Sequence, residues 1–196
     1  MRPIELKIKG INSYREEQVI NFNQLTSQGF FGIFGPTGSG KSTILDAITL
    51  ALYAKLPRGS KNFININETS ASVSFRFSIT TTETKEYLVE RSFRYPGKDR
   101  SSTARNTTAR LSLLSDVDTE ILADKPTDVT RSCTDLLGLS SDDFLRTVVL
   151  PQGQFSDFLK LKNQERRGML QRIFHLERYG IELTRKVAAA RQRMDI

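Results

Sequence analysis

Cysteine is almost missing from this sequence. Its 196 residues hold one, Cys133, so no disulfide can form within the chain. The bland reading of that residue is a small buried hydrophobe in a reducing cytosol. Histidine is as scarce, with His175 alone, and without a cysteine cluster it argues against a zinc site. No apolar run approaches the ~18 residues of a membrane span, and the opening MRPIELKIKG carries no apolar signal region. A cytoplasmic protein with no membrane partner is expected. No long-period repeat is visible. Acidic residues are also short: 22 Asp and Glu face 29 Lys and Arg, a formal net charge of +7. Such an excess suits a polyanion, nucleic acid being the commonest, or else a surface whose acidic complement sits on another chain. The length fits one domain, or one domain with an appendage.

Glycine is not abundant, at 12 residues, but it clusters in one stretch. "GIFGPTGSGKSTILDAITLALY", residues 32–53, contains Gly35-Pro36-Thr37-Gly38-Ser39-Gly40-Lys41-Ser42, a full match to G-x-x-x-x-G-K-[ST]. The apolar run FFGIF at 30–34 precedes it and reads as a central strand covered on both faces. From Ser42 to Tyr53, apolar residues at Ile44, Leu45, Ile48 and Leu52 have helical spacing. Strand, glycine loop, helix is the context in which this loop binds a nucleoside triphosphate. Gly35, Gly38 and Gly40 let the backbone curl until successive N–H groups face phosphate oxygens. The helix opening near Lys41 adds its positive end. Lys41 brings a full charge to the β- and γ-phosphates, and Ser42 Oγ can ligate Mg²⁺. A glycine turn without a ligand would leave Lys41 unexplained.

The rest of the chain changes texture. Residues 4–9 and 18–22 alternate as strands around a polar turn, Gly10 to Arg15. SVSFRFSI (72–79), EYLVERSF (86–93), ARLSLLS (109–115) and TEILA (119–123) alternate in period two, an antiparallel meander. Tyr95 to Thr108 is polar and basic and reads as a long loop. Thr127-Asp128 and Ser140-Ser141-Asp142 are helix starts. Thr147 to Leu150 reads as a short strand broken by Pro151. From Asn163 onward Ile173, Leu176, Gly180, Leu183, Val187, Ala190 and Met194 follow alternating gaps of three and four, a heptad seam. An ordinary amphipathic helix, or two helices broken near Tyr179-Gly180, fits the same pattern.

The catalytic complement is absent. Hydrolysis needs an acidic residue at an apolar strand end and a group that positions water. Asp142-Asp143 does not follow a strand, and Asp116 follows a half-exposed one. No LSGGQ-like stretch occurs; LSLLSD at 111–116 lacks the glycines. No N-K-x-D-like base-reading motif is seen either, which counts against a GTPase. The loop is half of a catalytic site.

"LKIKGINSYREEQVINF", the glycine-loop stretch and "VVLPQGQFSDFL" together resemble the start of the SbcC family, from Pro3 to about Arg193. That family supplies the ATPase subunit of a bacterial DNA-repair nuclease within the structural-maintenance-of-chromosomes group. The resemblance implies an α/β fold: the N-terminal lobe of an ABC-type P-loop ATPase head, with an antiparallel β-meander and a C-terminal coiled-coil-root helix. Residues 1–162 would form the lobe and 163–196 the start of the coil. The signature motif, the acidic magnesium motif and the hook cysteines of the family lie outside this stretch. The chain is then a piece of a longer protein, or its second lobe is a separate chain.

By the same resemblance, Thr37 to Thr43 are phosphate-binding positions, and Gln152 in PQGQ is the glutamine that reaches Mg²⁺ and the γ-phosphate region. Gln154 is its neighbouring competitor, and a simple turn role after proline is the plain alternative. Asn12 and Ser13 match a nucleotide-side loop; the wider group often has arginine where Ser13 stands, and Arg15 follows two residues on. Lys98, Arg100, Arg105 and Arg110 lie on or beside the meander loop. Mobile cations without aromatics favour contact with DNA phosphates over base readout, unless they are a solvated hairpin tip. Implied partners are the C-terminal lobe of the same head, a second head closing over two ATP molecules, double-stranded DNA, and the nuclease subunit SbcD at the coiled-coil base. A clamp or tether of the same group without a nuclease is the alternative. A stand-alone P-loop kinase is disfavoured by the missing acidic strand end.

Overall fold

A computed structural model of the chain describes residues 1–26, 29–56, 62–97, 102–115, 118–149, 163, 167–168 and 181–194. Two compact units divide it, Met1–Leu137 and Gly138–Ile196.

The first unit is built on a six-stranded antiparallel sheet. Its strands are β1 (Arg2–Lys9), β2 (Gln18–Asn21), β3 (Ser70–Thr80), β4 (Thr84–Arg94), β5 (Arg105–Leu114) and β6 (Thr119–Ala123), in spatial order β2-β1-β3-β4-β5-β6. The period-two alternation makes the faces. Ile4, Leu6 and Ile8 of β1, Val73, Phe75 and Phe77 of β3, and Tyr87, Val89 and Phe93 of β4 are all buried. Phe77 stacks between Phe75 and Tyr87, with ring centroids 5.3 and 5.6 Å apart. Burying each such ring stabilises the fold by about 1.5–3 kcal/mol. Two helices cover this face. Helix α2 (Lys41–Tyr53) lies against β3 and β4, α3 (Pro126–Leu137) lies against β5 and β6, and the two touch each other. A single-turn helix α1 (Phe22–Leu25) follows β2.

Two sequence expectations change here. Arg105 is not on a loop but opens β5, so the basic connection is shorter than Tyr95 to Thr108. A bulge at Thr107 explains how the strand starts early: Ser92 pairs with Thr108 while Phe93 pairs with Asn106, and Thr107 Oγ1 donates to Ser92 O at 3.2 Å. The run 30–34 is not a strand. Residues 30–36 lie outside every described strand, and Phe30 and Phe34 are 86% and 93% exposed. An unbroken apolar run says that both faces want cover without saying what covers them. The sheet of described strands does not include this segment.

In the second unit Ser140 caps α4 (Ser141–Phe144), its Oγ accepting from Asp143 N at 3.2 Å. The chain then continues as a π-helical turn, Leu145–Val149, in place of the expected strand. Thr147 Oγ1 donates back to Asp143 O at 2.6 Å, a helical side-chain bond that an extended chain could not make. A last helix, α5 (Ile181–Met194), follows. Its described side chains, residues 185–192, are exposed all round, Val187 included. The seam positions Ile173, Leu176 and Gly180, and the expected break near Tyr179, lie outside the described residues, as do the side chains of Leu183 and Met194.

Candidate functional site

The glycine loop is held by the polar turn between β1 and β2. That turn is fixed from below: Asn12 N donates to Phe63 O at 2.7 Å, Asn65 N to Gly10 O at 2.8 Å, and Asn65 Nδ2 to Asn12 O at 2.6 Å. Asn12 takes a left-handed backbone, φ 47, which asparagine tolerates better than most residues. The tight turn aims three consecutive side chains at residues 38–43. Asn12 Nδ2 donates to Thr43 Oγ1 at 3.4 Å, Ser13 Oγ to Gly38 O at 2.9 Å, and Tyr14 OH to Gly40 O at 3.4 Å.

The loop itself curls through two left-handed glycines, Gly38 at φ 85 and Gly40 at φ 92. Gly40 is also the N-cap of α2, with no side-chain capping bond. At Gly40 a Cβ would come within 2.9 Å of the Tyr14 ring, so the turn and the loop are in close contact there. Lys41 folds back over the loop: its Nζ donates to Gly35 O and Pro36 O, both at 2.7 Å, and to Ser39 Oγ at 3.4 Å. Burial of the Tyr14 hydroxyl pushes its pKa above the ordinary tyrosine value.

The pattern of satisfied and unsatisfied groups decides what the loop can do. The carbonyls of Gly35, Pro36, Gly38 and Gly40 are all engaged by side chains. The amides of Gly38, Gly40, Lys41 and Ser42 find no acceptor among the described residues. Four carbonyls tied off and four amides left open, at the positive end of a 13-residue helix, form an arrangement that could hold an anion with several oxygens. Residues 37–39 and Ser42 are exposed, so the cradle is open to solvent.

A divalent cation has no carboxylate cage here: the described residues hold no cluster of three His, Cys, Asp or Glu side chains. Ser42 offers one exposed hydroxyl in the first turn of α2. One hard oxygen beside a phosphate cradle fits Mg²⁺, which keeps its waters and takes its other ligands from phosphate.

The sequence-based site is therefore assembled at Asn12, Ser13 and Gly35 to Thr43. Gln152, with its competitor Gln154, lies outside the described residues, as do Lys98 and Arg100. Arg105 and Arg110 are exposed on β5. Five residues apart, they would face opposite ways on a regular strand. Pairing of Arg105 with Arg94 and of Arg110 with Glu90 puts both on the sheet face turned away from the helices, because the bulge at Thr107 resets the alternation. That outer face forms a groove of about 820 Å³ whose walls include Lys7, Lys9, Arg76 and Arg110 together with Glu5 and Glu90.

Two participants are absent from the sequence-based site. Tyr14 gives no signal, since its bond to Gly40 spans 26 positions and depends on the fold. Arg91 does give one: it shares the inward parity of Tyr87, Val89 and Phe93. Among the described charges it is an unusual find, 1% exposed in the core.

A family model described as an AAA domain, AAA_23, matches residues 5–195. The chain is 52% identical over 96% of its length to the C subunit of nuclease SbcCD from Clostridium acetobutylicum. It is 50% identical over 95% of its length to the protein of the same name from Bacillus subtilis. A probable DNA double-strand break repair Rad50 ATPase of Aquifex aeolicus is 34% identical over 96% of the chain. The chain spans only 16% of the length of the first two relatives and 18% of the third. Among solved structures, one described under ATP-driven dimerization and DNA-stimulated activation of SMC ATPases superposes with a TM-score of 0.55 over 88% of this chain and 99% of that one, at 23% identity.

Proposed function

The chain belongs to the AAA_23 family, and from that premise we propose that it is the ATP-binding half of the ATPase head of a DNA double-strand-break-processing nuclease complex. The observation that carries this is the donor-only cradle: four carbonyls tied off, and an uncapped α2 N-terminus left open beside Lys41.

In this reading the open amides of Gly38, Gly40, Lys41 and Ser42 hold the phosphate oxygens of ATP. Lys41 exchanges its bonds to Gly35 O and Pro36 O for the β- and γ-phosphates. The turn at Asn12 to Tyr14 keeps the peptide planes oriented before the ligand arrives, so the Lys41 side chain moves on binding while the backbone of the loop stays in place. Ser42 Oγ is the protein ligand of Mg²⁺, with Gln152 the second candidate. When bound, the ion would supply charge that offsets the negative charge of the β- and γ-phosphates.

In this reading the described residues of the loop bind and orient, and none of them is a carboxylate that could activate water. Phe30, Ile33, Phe34 and Leu45 are exposed beside the loop, and residues 30–36 pair with no described strand. That surface suits the C-terminal lobe of the same head, which would supply the acidic strand end and cover the apolar segment. Residues 1–162 then form the N-terminal lobe. Helix α5, exposed at its described side chains 185–192, belongs to the coiled-coil start at 163–196, where a helix that buries so little needs a partner. A second head would close over the nucleotide, the nuclease subunit SbcD would grip the coil base, and DNA phosphates would meet Arg105, Arg110, Lys98 and Arg100.

ATP binding by the protein carrying its C-terminal lobe tests the reading. Lys41→Ala is expected to remove most affinity. Unchanged ATP binding in that variant would rule out the cradle as the nucleotide site.

A further inference from the structure

Arg91 is the largest of the fully buried side chains among the described residues, at 1% exposed. Its guanidinium meets no carboxylate in the bonds it makes: Nε donates to Ala51 O at 2.6 Å, Nη2 to Leu52 O at 3.1 Å and to Thr130 Oγ1 at 3.0 Å, and Nη1 to Pro126 O at 3.3 Å. Arginine keeps its charge when buried, so the charge must be balanced by dipoles. The balancing group is the carbonyl end of α2. Ala51 and Leu52 are among the last four carbonyls of that helix, which have no partner inside it. A third, Leu50 O, accepts from Ala54 N at 2.9 Å, with Ala54 in a left-handed turn at φ 53.

The two ends of α2 are thus treated in opposite ways. The N-terminal end has no side-chain cap and leaves its amides open. The C-terminal end is gripped by a rigid fork from the central sheet, and the same fork reaches the first turn of α3. A helix of 13 residues is a rod roughly 20 Å long, so a grip on its C-terminal end acts on its tilt and axial position together with the turn that contacts Gly40 and Thr43 at the other end.

We propose that Arg91 is a positioning residue for the phosphate cradle: from β4 it fixes α2 by its C-terminus and so fixes where the N-terminal amides and Lys41 point. This rests on the cradle being the ATP site. A planar fork is required because it addresses two successive carbonyls of one helix and a hydroxyl of another at once. A lysine in the same place carries the charge without the geometry.

Steady-state ATP hydrolysis by the full-length protein in its complex separates positioning from mere support of the fold. Loss of folded protein lowers the maximal rate and leaves KM alone. A mis-aimed cradle raises KM, since the amides grip the triphosphate in the ground state as well as in the transition state. Arg91→Met keeps the volume and removes the buried charge, and Arg91→Lys keeps the charge and loses the fork. Both are expected to raise KM for ATP, by about tenfold for methionine, within the range that small misplacements of catalytic groups produce. Both variants are expected to melt below the parent, since the carbonyls of Ala51, Leu52 and Pro126 lose donors, and to remain folded at the assay temperature. A KM unchanged in the folded variants overturns the proposal. So does failure of both variants to fold, because Arg91 would then be a requirement of the fold and not of the cradle. Lys41→Ala, run beside them, isolates the premise. If ATP still binds normally without the Lys41 ammonium, the nucleotide assignment falls; if Lys41→Ala fails to bind and both Arg91 variants match the parent, only the positioning role falls.

Discussion

Replacing Gly40 with alanine probes the contact on which the cradle turns. Gly40 sits at φ 92, where an L-residue costs of order 1–2 kcal/mol. The added Cβ would also lie 2.9 Å from Tyr14 Cε2 and 3.0 Å from Cζ. The ring must retreat by a few tenths of an ångström, which strains or breaks the bond from its hydroxyl to Gly40 O, about 1 kcal/mol. Both costs fall on the peptide that aims the first amides of α2. If they are carried into binding, the sum of about 2–3 kcal/mol weakens ATP binding by roughly thirty- to a hundred-and-fortyfold. The two parts separate in a double-mutant cycle. In a Tyr14→Ala background the steric part is gone, so Gly40→Ala should cost only its backbone part, and the coupling should be about 1 kcal/mol. Calorimetric titration of ATP into the protein bearing its C-terminal lobe measures the cycle. Parental affinity in Gly40→Ala, or strictly additive variants, would refute the view that turn and loop form one unit.

Other consequences are open to measurement. Burial pushes the Cys133 thiol from 9.0 up to about 11, with Arg91 opposing the rise. Below pH 9 the folded and unfolded states both keep the proton; between pH 9 and 11 only the unfolded chain loses it, so unfolding free energy should fall by of order 2 kcal/mol across that window. Denaturant titrations of Cys133→Ala should lack this part of the slope, and an identical slope would contradict the burial. Phe30→Ser with Phe34→Ser should weaken association with a separately supplied C-terminal lobe by at least roughly tenfold, since two rings would otherwise leave water; unchanged association would remove this surface from the interface. Neutralising Arg105 and Arg110 should make the dependence of DNA affinity on salt shallower by nearly one unit for each phosphate no longer neutralised, and neutralising Lys98 and Arg100 tests the adjoining segment in the same way. An unaltered slope would assign these cations to solvent.

How much of the fold and the site is legible in the sequence depends on the range of each interaction. The meander is readable because side-chain parity is local: SVSFRFSI and EYLVERSF carry their buried face in their spelling. The glycine loop is readable because its chemistry sits in eight consecutive residues. Residues 30–34 mislead because an apolar run records a demand for burial on both sides, and the strands that would meet it are not among those described. The π-helical turn at Leu145–Val149 reads as a strand because a short run of β-branched residues has no period long enough to decide. The bulge at Thr107 is invisible, and with it the common face of Arg105 and Arg110, since a bulge is set by pairing with β4. Tyr14 and Arg91 work through partners 26 and 40 positions away. For Arg91 the parity gives the burial, while the acceptors come only with the packing of α2.

ATP turnover by residues 1–196, measured before and after a separately produced C-terminal lobe is added, reaches furthest into the account. A cradle that grips phosphate and borrows its water-activating groups should be almost silent by itself and gain activity when the second lobe arrives, with Lys41→Ala abolishing the gain. Turnover by residues 1–196 unaided, at the rate of the two-lobe assembly, would contradict it.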